Sequence, residues 1–303
     1  MKPISLVSLI LIIIISSCEI FNPPMPDYSN KILYTSNLTS DGHSQLFMVD
    51  PDGSNIQQIT SGRYSHWRGK WSPDASQIAC NTDQDATTND IYMMVMNSNG
   101  TKRQLIHPAN SFEWHPDGND IICEYMPSAE MGYFTKDIYL AYESKFIIYN
   151  DITSQIEDES PCYSPSGDKI AFSSNREYVV ESRAKSELYL MDSDGSNQQQ
   201  ITNLNVMSTS GPVWTNDGNT LYFCSAGRIC SYSFIDSTVT IICESDSFAY
   251  VGPRLSPNND KIIFLANQYI GNHNRYLYIM DIDGSNMRAL INDSTITSCD
   301  WSK

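Results

Sequence analysis

Short apolar runs separated by polar turns recur along residues 31–303. The runs are rich in the β-branched and aromatic side chains that favour strands. Six of them share one pattern, in which a polar residue precedes three mostly apolar ones. They are Lys31-Ile-Leu-Tyr, Gln77-Ile-Ala-Cys, Asp120-Ile-Ile-Cys, Lys169-Ile-Ala-Phe, Thr220-Leu-Tyr-Phe and Lys261-Ile-Ile-Phe. The pattern predicts an all-β fold.

A second repeat places an aromatic residue, or leucine, before a polar turn. Its instances are Trp71-Ser-Pro-Asp, Trp114-His-Pro-Asp-Gly, Tyr163-Ser-Pro-Ser-Gly, Trp214-Thr-Asn-Asp-Gly, Leu255-Ser-Pro-Asn-Asn and Trp301-Ser. Successive instances are 43, 49, 51, 41 and 46 residues apart. Each unit has room for four short strands, and such a sheet becomes stable when neighbouring sheets stack on both of its faces. The sequence therefore predicts six stacked units.

The two ends of the chain complement each other. The first unit lacks its opening strand, whereas the chain ends on such a strand, Ser298-Cys-Asp-Trp-Ser. Pairing of this strand with the N-terminal unit would close a ring and remove an exposed sheet edge. We therefore expect a six-bladed β-propeller of four-stranded antiparallel blades over residues 31–303. An open β-solenoid is the alternative, and the missing first strand argues against it.

The turns between third and fourth strands share Asp and Gly residues. They read Asp50-Pro-Asp-Gly-Ser-Asn, Asp192-Ser-Asp-Gly-Ser-Asn and Asp281-Ile-Asp-Gly-Ser-Asn, with Asn97-Ser-Asn-Gly-Thr as a variant. Glycine accepts a positive φ, and Asp or Asn caps the backbone two residues on, so these segments predict tight hairpins. A calcium loop is the alternative, but the closing Glu and flanking helices of an EF-hand are missing.

Together these motifs resemble the WD-like repeat of TolB-like propellers. Residues 163–202 follow it most closely, from Tyr163-Ser-Pro-Ser-Gly through Leu188-Tyr-Leu-Met-Asp to Ile201-Thr. The resemblance implies a fold and carries little about function. TolB proteins also have an N-terminal α/β domain, for which this sequence has no room, so the resemblance does not imply membership of the Tol system.

The N-terminus has the features of an export signal. Lys2 precedes an apolar run, Ile4 to Ile15, whose twelve residues reach about 18 Å as a helix, short of the roughly 30 Å hydrocarbon core. The run ends in Ile15-Ser-Ser-Cys18, which resembles a bacterial lipobox. We therefore predict a signal peptide at 1–17, a lipid-anchored tether at 18–30 and acylation of Cys18. The alternative is an ordinary signal peptide and a soluble exported protein.

The composition of the chain limits the kinds of molecule that we expect it to bind. The formal charge is −16, spread along the chain, so the surface repels phosphate backbones and nucleic-acid binding is not expected. We predict a protein of the bacterial cell envelope that contacts the membrane only through its lipid anchor. The outer membrane is the expected location, and both its periplasmic side and its surface side are consistent with the sequence.

Catalytic motifs are sparse. Hydrolases that carry this propeller repeat use a separate domain with a Gly-x-Ser-x-Gly elbow, which the sequence lacks. Oligogalacturonate lyases also resemble the repeat and use a histidine-bearing metal site. His66 and His107 are the pair that blade-linking loops could bring together, whereas His115 replaces serine in a turn. We predict no cofactor, no metal and no catalytic residue, and keep a metal-assisted polysaccharide lyase or hydrolase as the alternative function.

Export permits disulfides, and seven cysteines remain beyond Cys18. Cys80 and Cys123 occupy positions held elsewhere by Phe172 and Phe264, so we expect buried small hydrophobic side chains there. A Cys224–Cys230 or a Cys230–Cys243 bridge is the disulfide hypothesis.

Propeller geometry sends the longer connections to one end of the ring, where recognition is expected. We predict that this end binds an envelope protein or a glycan; ordinary packing of its aromatic residues is the alternative interpretation. The candidate residues are Tyr64, Tyr133, Phe134, Tyr178, Phe248, Tyr250 and Tyr269.

Overall fold

The structure, a computed structural model, describes residues 27–37, 39, 42–84, 91–125, 136–142, 145–148, 156–177, 185–206, 208–269 and 274–303. The predicted signal peptide, Cys18 and the candidate residues Tyr133, Phe134 and Tyr178 lie outside the described residues. In the part that is described, no helix is long and apolar enough to cross a membrane.

The described strands form six four-stranded antiparallel sheets, which confirms the predicted propeller. Blade 1 contains β24 (Ile296–Trp301), β1 (Ile32–Ser36), β2 (Gln45–Val49) and β3 (Gln57–Gln58). Blade 2 contains β4 (His66–Trp71), β5 (Gln77–Thr82), β6 (Tyr92–Asn97) and β7 (Gln104–Pro108). Blade 3 contains β8 (Phe112–Trp114), β9 (Ile121–Tyr125), β10 (Asp137–Leu140) and β11 (Lys145–Ile148).

The remaining blades follow the same order from the innermost to the outermost strand. Blade 4 contains β12 (Asp158–Tyr163), β13 (Lys169–Ser174), β14 (Glu187–Asp192) and β15 (Gln199–Gln200). Blade 5 contains β16 (Thr209–Trp214), β17 (Thr220–Ser225), β18 (Arg228–Ser233) and β19 (Thr238–Cys243). Blade 6 contains β20 (Phe248–Leu255), β21 (Lys261–Gln268), β22 (Arg275–Asp281) and β23 (Arg288–Ala289).

The ring closes through the C-terminal strand, as predicted. β24 is the innermost strand of blade 1 and pairs antiparallel with β1, with Trp301 opposite Ile32. Side chains reinforce this pairing, since Trp301 Nε1 donates to Asn30 Oδ1 at 2.9 Å. The Ser302 hydroxyl donates to the Tyr28 carbonyl at 2.7 Å. Residues from opposite ends of the chain therefore complete one sheet and leave no inner edge open.

The core lies between neighbouring blades. Each interface holds its own cluster of buried apolar side chains, including the closing interface between blades 6 and 1, where Ile296 and Trp301 pack with Ile263 and Leu277. The hairpin between β2 and β3 shows how closely blades approach. Gly53 has a φ of 92°, and a Cβ there would lie 2.6 Å from the Leu290 carbonyl oxygen of blade 6. Glycine is therefore needed for both conformation and space.

The Asp-containing hairpins are capped by their own residues. Asp50 accepts a hydrogen bond from the Asn55 amide at 2.6 Å and also contacts the Lys31 ammonium. Asp192 and Asp281 repeat the arrangement with an Asn and a Lys each. These bonds support the interpretation of the segments as structural turns. Each of these three hairpins leads into the outermost strand of its blade, and these strands, β3, β15 and β23, have only two residues each. Very short edge strands leave little backbone open to pairing with another chain.

Candidate functional site: the central channel

The six innermost strands surround a central channel. In each of them, the residue immediately before the aromatic or leucine position lines the channel. We call this set the channel ring, and its members in blade order from 1 to 6 are Asp300, Lys70, Glu113, Cys162, Val213 and Arg254. Four adjacent members are charged with alternating sign. They divide the channel into a turn-face cavity, beside the short turns between first and second strands, and a loop-face cavity at the opposite end.

Ion pairs join neighbouring members of the ring. Lys70 Nζ lies 2.8 Å from Glu113 Oε2 and 3.6 Å from Asp300 Oδ1. Arg254 Nε lies 3.4 Å from the same Asp300 oxygen. The other Asp300 oxygen accepts the Trp71 backbone N–H at 2.8 Å. Two positive and two negative side chains therefore neutralise one another, as buried charges require.

Burial and the neighbouring positive charges act in opposite directions on the pKa values of Asp300 and Glu113. Burial raises the pKa of Asp300, and the positive charges of Lys70 and Arg254 only partly oppose it. For Glu113, burial also favours the protonated form, but the charges of Lys70 and Arg254 outweigh it and lower the pKa. Solvent reaches Glu113 through the channel, since 27% of its side chain remains exposed.

The turn-face cavity has a volume of about 350 Å³. Its wall is formed by the aromatic or leucine positions of the repeat, and its entrance by the turn residues that follow them. Trp114 Nε1 donates to the Lys70 carbonyl at 3.3 Å, and Trp214 Nε1 donates to the Cys162 carbonyl at 3.3 Å. These two indoles thus tie blade 3 to blade 2 and blade 5 to blade 4.

The loop-face cavity has a volume of about 370 Å³ and is more polar. Within its wall, Lys136 Nζ lies 3.9 Å from Glu124 Oε1 and also contacts Glu159. Glu157 lies 3.7 Å from the same ammonium. Burial, and to a smaller extent the Glu159 charge, raises the pKa of Glu124 to about 7 despite the opposing charge of Lys136. This carboxyl therefore titrates near neutral pH.

The predicted binding-face residues that the structure describes have different environments. Tyr269 is 48% exposed beside the loop-face end of blade 6. Tyr64 is partly buried and lies against Arg63, whose guanidinium carbon is 4.8 Å from the ring centroid. Phe248 is partly buried beside Tyr278. Tyr250 is a correction, because it is only 5% exposed and packs edge-on against Phe264 in the core, where a partner cannot reach its ring.

The histidine pair considered for a metal site is separated by the fold. His66 begins β4, the innermost strand of blade 2, whereas His107 lies in β7, the outermost strand of the same blade. Three strand spacings amount to roughly 14 Å, too far for one ion. Burial lowers the pKa of His66 to about 4, and its Nδ1 lies 3.2 Å from Gln45 Oε1. The expectation that His107 enters an innermost strand was wrong.

His115 lies in a turn, as its sequence position indicated. Its Nδ1 is 2.6 Å from Asp117 Oδ1, and its ring packs edge-on against Tyr163 at 4.6 Å. Among the residues that the structure covers, no three His, Cys, Asp or Glu side chains are grouped as metal ligands.

The disulfide hypothesis is contradicted, since all seven described cysteines are free thiols. The strand register explains why. Cys224 is opposite Ile229 and Cys230 is opposite Phe223, so Cys224 and Cys230 point to opposite faces of blade 5. Cys224 and Cys243 pack towards blade 6, whereas Cys230 packs towards blade 4. Neither predicted pair can meet without breaking the sheet. Cys80 and Cys123 are fully buried, as expected.

Sequence reasoning missed the channel ring. Its six residues share no chemical type, so the repeat does not reveal them as a set. The available signal was positional: each residue directly precedes the recognised aromatic or leucine position, and four of the six are charged in a fold where that position faces inward.

Comparison with known proteins supports the fold. No family model matches the chain. An uncharacterised protein of Agrobacterium fabrum is 28% identical over 188 residues, which are 59% of this chain and 60% of that protein. The match spans about 60% of the length of this curated relative. It therefore carries no conclusion about the activity of the whole relative.

Solved structures match over most of the chain. TolB from Acinetobacter baumannii has a TM-score of 0.70 and 20% identity, covering 91% of this chain and 67% of that one. A structure named as TolB from Agrobacterium tumefaciens has a TM-score of 0.64 and 18% identity, covering 88% and 90%. Hydrazine synthase from Kuenenia stuttgartiensis has a TM-score of 0.69 and 13% identity, covering 90% and 46%. The molecule is a six-bladed β-propeller. Its fold is TolB-like, and at these identities the likeness concerns the fold alone.

Proposed function

We propose that this chain is a non-enzymatic lipoprotein of the bacterial cell envelope, anchored through Cys18, whose loop face binds a protein partner. The observation that carries the proposal is the difference between the two ends of the ring. Turns between first and second strands have five or six residues, whereas the loop-face connections between second and third strands have as many as 12. Long connections on a rigid scaffold are where binding residues are usually found.

The position of the first described residues supports this choice of face. Tyr28, which belongs to the predicted tether, is buried and stacks on Trp71 at 5.9 Å. It lies at the turn-face end, where β1 begins and β24 ends. A tether leading back to Cys18 would leave the ring from the turn face. The loop face would then point away from the membrane and stay open to a partner.

The likeness of the fold to bacterial TolB proteins supports an envelope setting for this role. The negative charge favours a partner with a basic surface, since complementary charges steer association. A glycan partner is an outcome that the binding experiment distinguishes.

The anchor is tested by a Cys18→Ser variant expressed in a bacterium with labelled palmitate. We expect the wild-type chain to carry label and to sediment with membranes, and the variant to lose both properties. A Cys243→Ser variant serves as the control, because Cys243 is a partly buried thiol of blade 5. Equal labelling of wild type and C18S would contradict the anchor.

Partner binding is tested by capture from envelope extracts with a variant in which Tyr133, Tyr178 and Tyr269 are all alanine. We expect capture to be lost while the melting temperature is kept. The matched control replaces Ile56 and Ile235, exposed hydrophobic residues at the turn face, by serine. Protease treatment of the extract should abolish capture. Loss of capture after glycosidase treatment alone would instead identify a glycan partner. Loss of capture in the turn-face variant would show that the partner binds the turn face, which contradicts the proposed binding surface.

The alternative of metal-assisted polysaccharide cleavage rests on resemblance alone. A metal analysis together with a polyuronate cleavage assay separates the two functions, since turnover that depends on bound manganese or calcium would favour the enzyme.

A further inference from the structure

The loop-face cavity concentrates positive charge in an acidic protein. The sequence has 19 Lys and Arg residues against 35 Asp and Glu residues. The cavity wall reverses this ratio, with four basic residues and two acidic ones. The basic residues are Arg68, Lys70, Lys136 and Arg254, and the acidic ones are Glu124 and Glu159. Serine and threonine hydroxyls fill much of the remaining wall.

Arg68 differs from the other three cations. Lys70, Lys136 and Arg254 each lie within 4 Å of carboxylates. Among the described residues, Arg68 forms no such ion pair, and its one side-chain hydrogen bond runs from Nη1 to the Asn110 carbonyl at 2.5 Å. A guanidinium has five N–H donors, so most of its donors face the solvent at the cavity mouth.

Arg68 has a backbone conformation that glycine adopts more readily than arginine. Four inner strands carry a β-bulge directly before the channel ring, and in these strands the residue two positions before the ring has a positive φ. Two of these residues are glycines, Gly211 and Gly252, whereas Ser160 has a φ of 52° and Arg68 has a φ of 54°. A left-handed conformation is strained for a residue with a side chain and recurs at functional positions. Its neighbour Gly69 allows close packing, since a Cβ there would lie 2.5 Å from Leu33 Cδ2.

One further polar group in the wall lacks a hydrogen-bond partner. Thr297 Oγ1 is buried and forms no hydrogen bond. The negative groups opposing an anion are weakened, because Glu159 contacts Lys136 and the raised pKa of Glu124 leaves part of that carboxyl uncharged near neutral pH. Because Lys70, Lys136 and Arg254 are paired with carboxylates, Arg68 is the cation of the described wall that remains available to an anion, and Thr297 adds a hydroxyl donor.

We propose that the loop-face cavity is a binding site for a small soluble oxyanion, a carboxylate or a phosphate group, with Arg68 as its principal contact. A guanidinium holds either group through two parallel hydrogen bonds. The cavity volume of about 370 Å³ suits a ligand of this size. This site is independent of the lipid anchor and of a protein partner.

The test is titration calorimetry on the full-length chain with inorganic phosphate and with glucuronate, at matched ionic strength. The two probes distinguish a phosphate ligand from a carboxylate ligand. We expect one of them to bind wild type and to lose at least tenfold in affinity in Arg68→Gly. Because glycine tolerates this backbone conformation, the melting temperature of R68G should be unchanged or higher, which separates lost binding from misfolding.

Arg63→Ala is the matched control, since Arg63 is an exposed arginine near the same face but outside the cavity wall. It should keep wild-type affinity. Arg68→Lys keeps the charge without the paired donors and should bind with intermediate affinity. The proposal is overturned if wild type binds neither probe, or if R68G binds as tightly as wild type.

Discussion

Lys70 Nζ lies 2.8 Å from Glu113 Oε2, and this ion pair joins blades 2 and 3 across the channel wall. The same ammonium is 3.6 Å from Asp300 in blade 1, so one lysine links three blades. Because Lys70 is only 7% exposed, the pair is poorly solvated, and removing one partner leaves charge uncompensated.

Lys70→Met should therefore destabilise the propeller by about 3 kcal/mol, the usual cost of breaking a buried pair. Loss of the lysine favours protonation of Glu113 and Asp300, so the deficit should shrink as the pH falls. Urea unfolding at pH 5 and pH 8 measures both effects. Lys169→Met, which removes a half-exposed lysine paired with Asp192, is the control and should cause a much smaller change. A K70M variant as stable as wild type at pH 8 would contradict this role.

The raised pKa of Glu124 predicts that the stability of the protein depends on pH. Burial raises its pKa from 4.5 to about 7, so the folded state binds a proton more tightly than the unfolded state. Its contribution is fully favourable below pH 4.5 and is lost as the pH rises through 7. Glu124→Gln should thus raise the melting temperature relative to wild type at pH 8, with a smaller gain or none at pH 5.

The difference between variant and wild type isolates Glu124 from other groups. Lys136, Glu159 and Arg68 act on its charge, and all three are retained in the variant. The lowered pKa of His66 acts in the opposite sense, reducing stability as the pH falls from 6.5 through about 4, in both proteins. Glu177→Gln, at an exposed position, is the control. A gain that is the same at both pH values would show that Glu124 does not titrate as described.

The cysteines predict a thiol count. The chain from residue 27 onward should release seven reactive thiols when it is unfolded without reductant. Before unfolding the thiols should react slowly, because burial raises their pKa, to about 12 for Cys80 and about 11 for Cys243. A count of five would mean that one disulfide forms, against the register of blade 5.

The repeat predicted the blades, the turns and the closing strand because each depends on residues that recur at similar spacing. Trp71 and Trp301 are recognisable through their following turns, and both are buried at blade interfaces. The channel ring could not be predicted this way, since Lys70, Val213 and Asp300 are equivalent in position but not in chemistry.

Two other predictions are wrong because they depend on where strands begin and on how they pair. The loop position expected for Tyr250 is wrong, since β20 begins at Phe248 and Tyr250 is buried in the core. Cys224 and Cys230 flank a hairpin, yet an offset of one residue sends them to opposite faces. Such offsets follow from the length of a turn and are not visible in composition.

Ring closure is the claim on which the channel, the two faces and the proposed sites depend. Its most direct test is thermal unfolding of a chain that ends at Thr295 and so lacks β24, compared with a chain lacking only Lys303. Removing β24 takes away Asp300, the buried Trp301 and the bond to Asn30. We expect the melting temperature to fall by at least about 10 °C, since a loss of several kcal/mol shifts a domain of this size by that much. An unchanged melting temperature would contradict the closed ring.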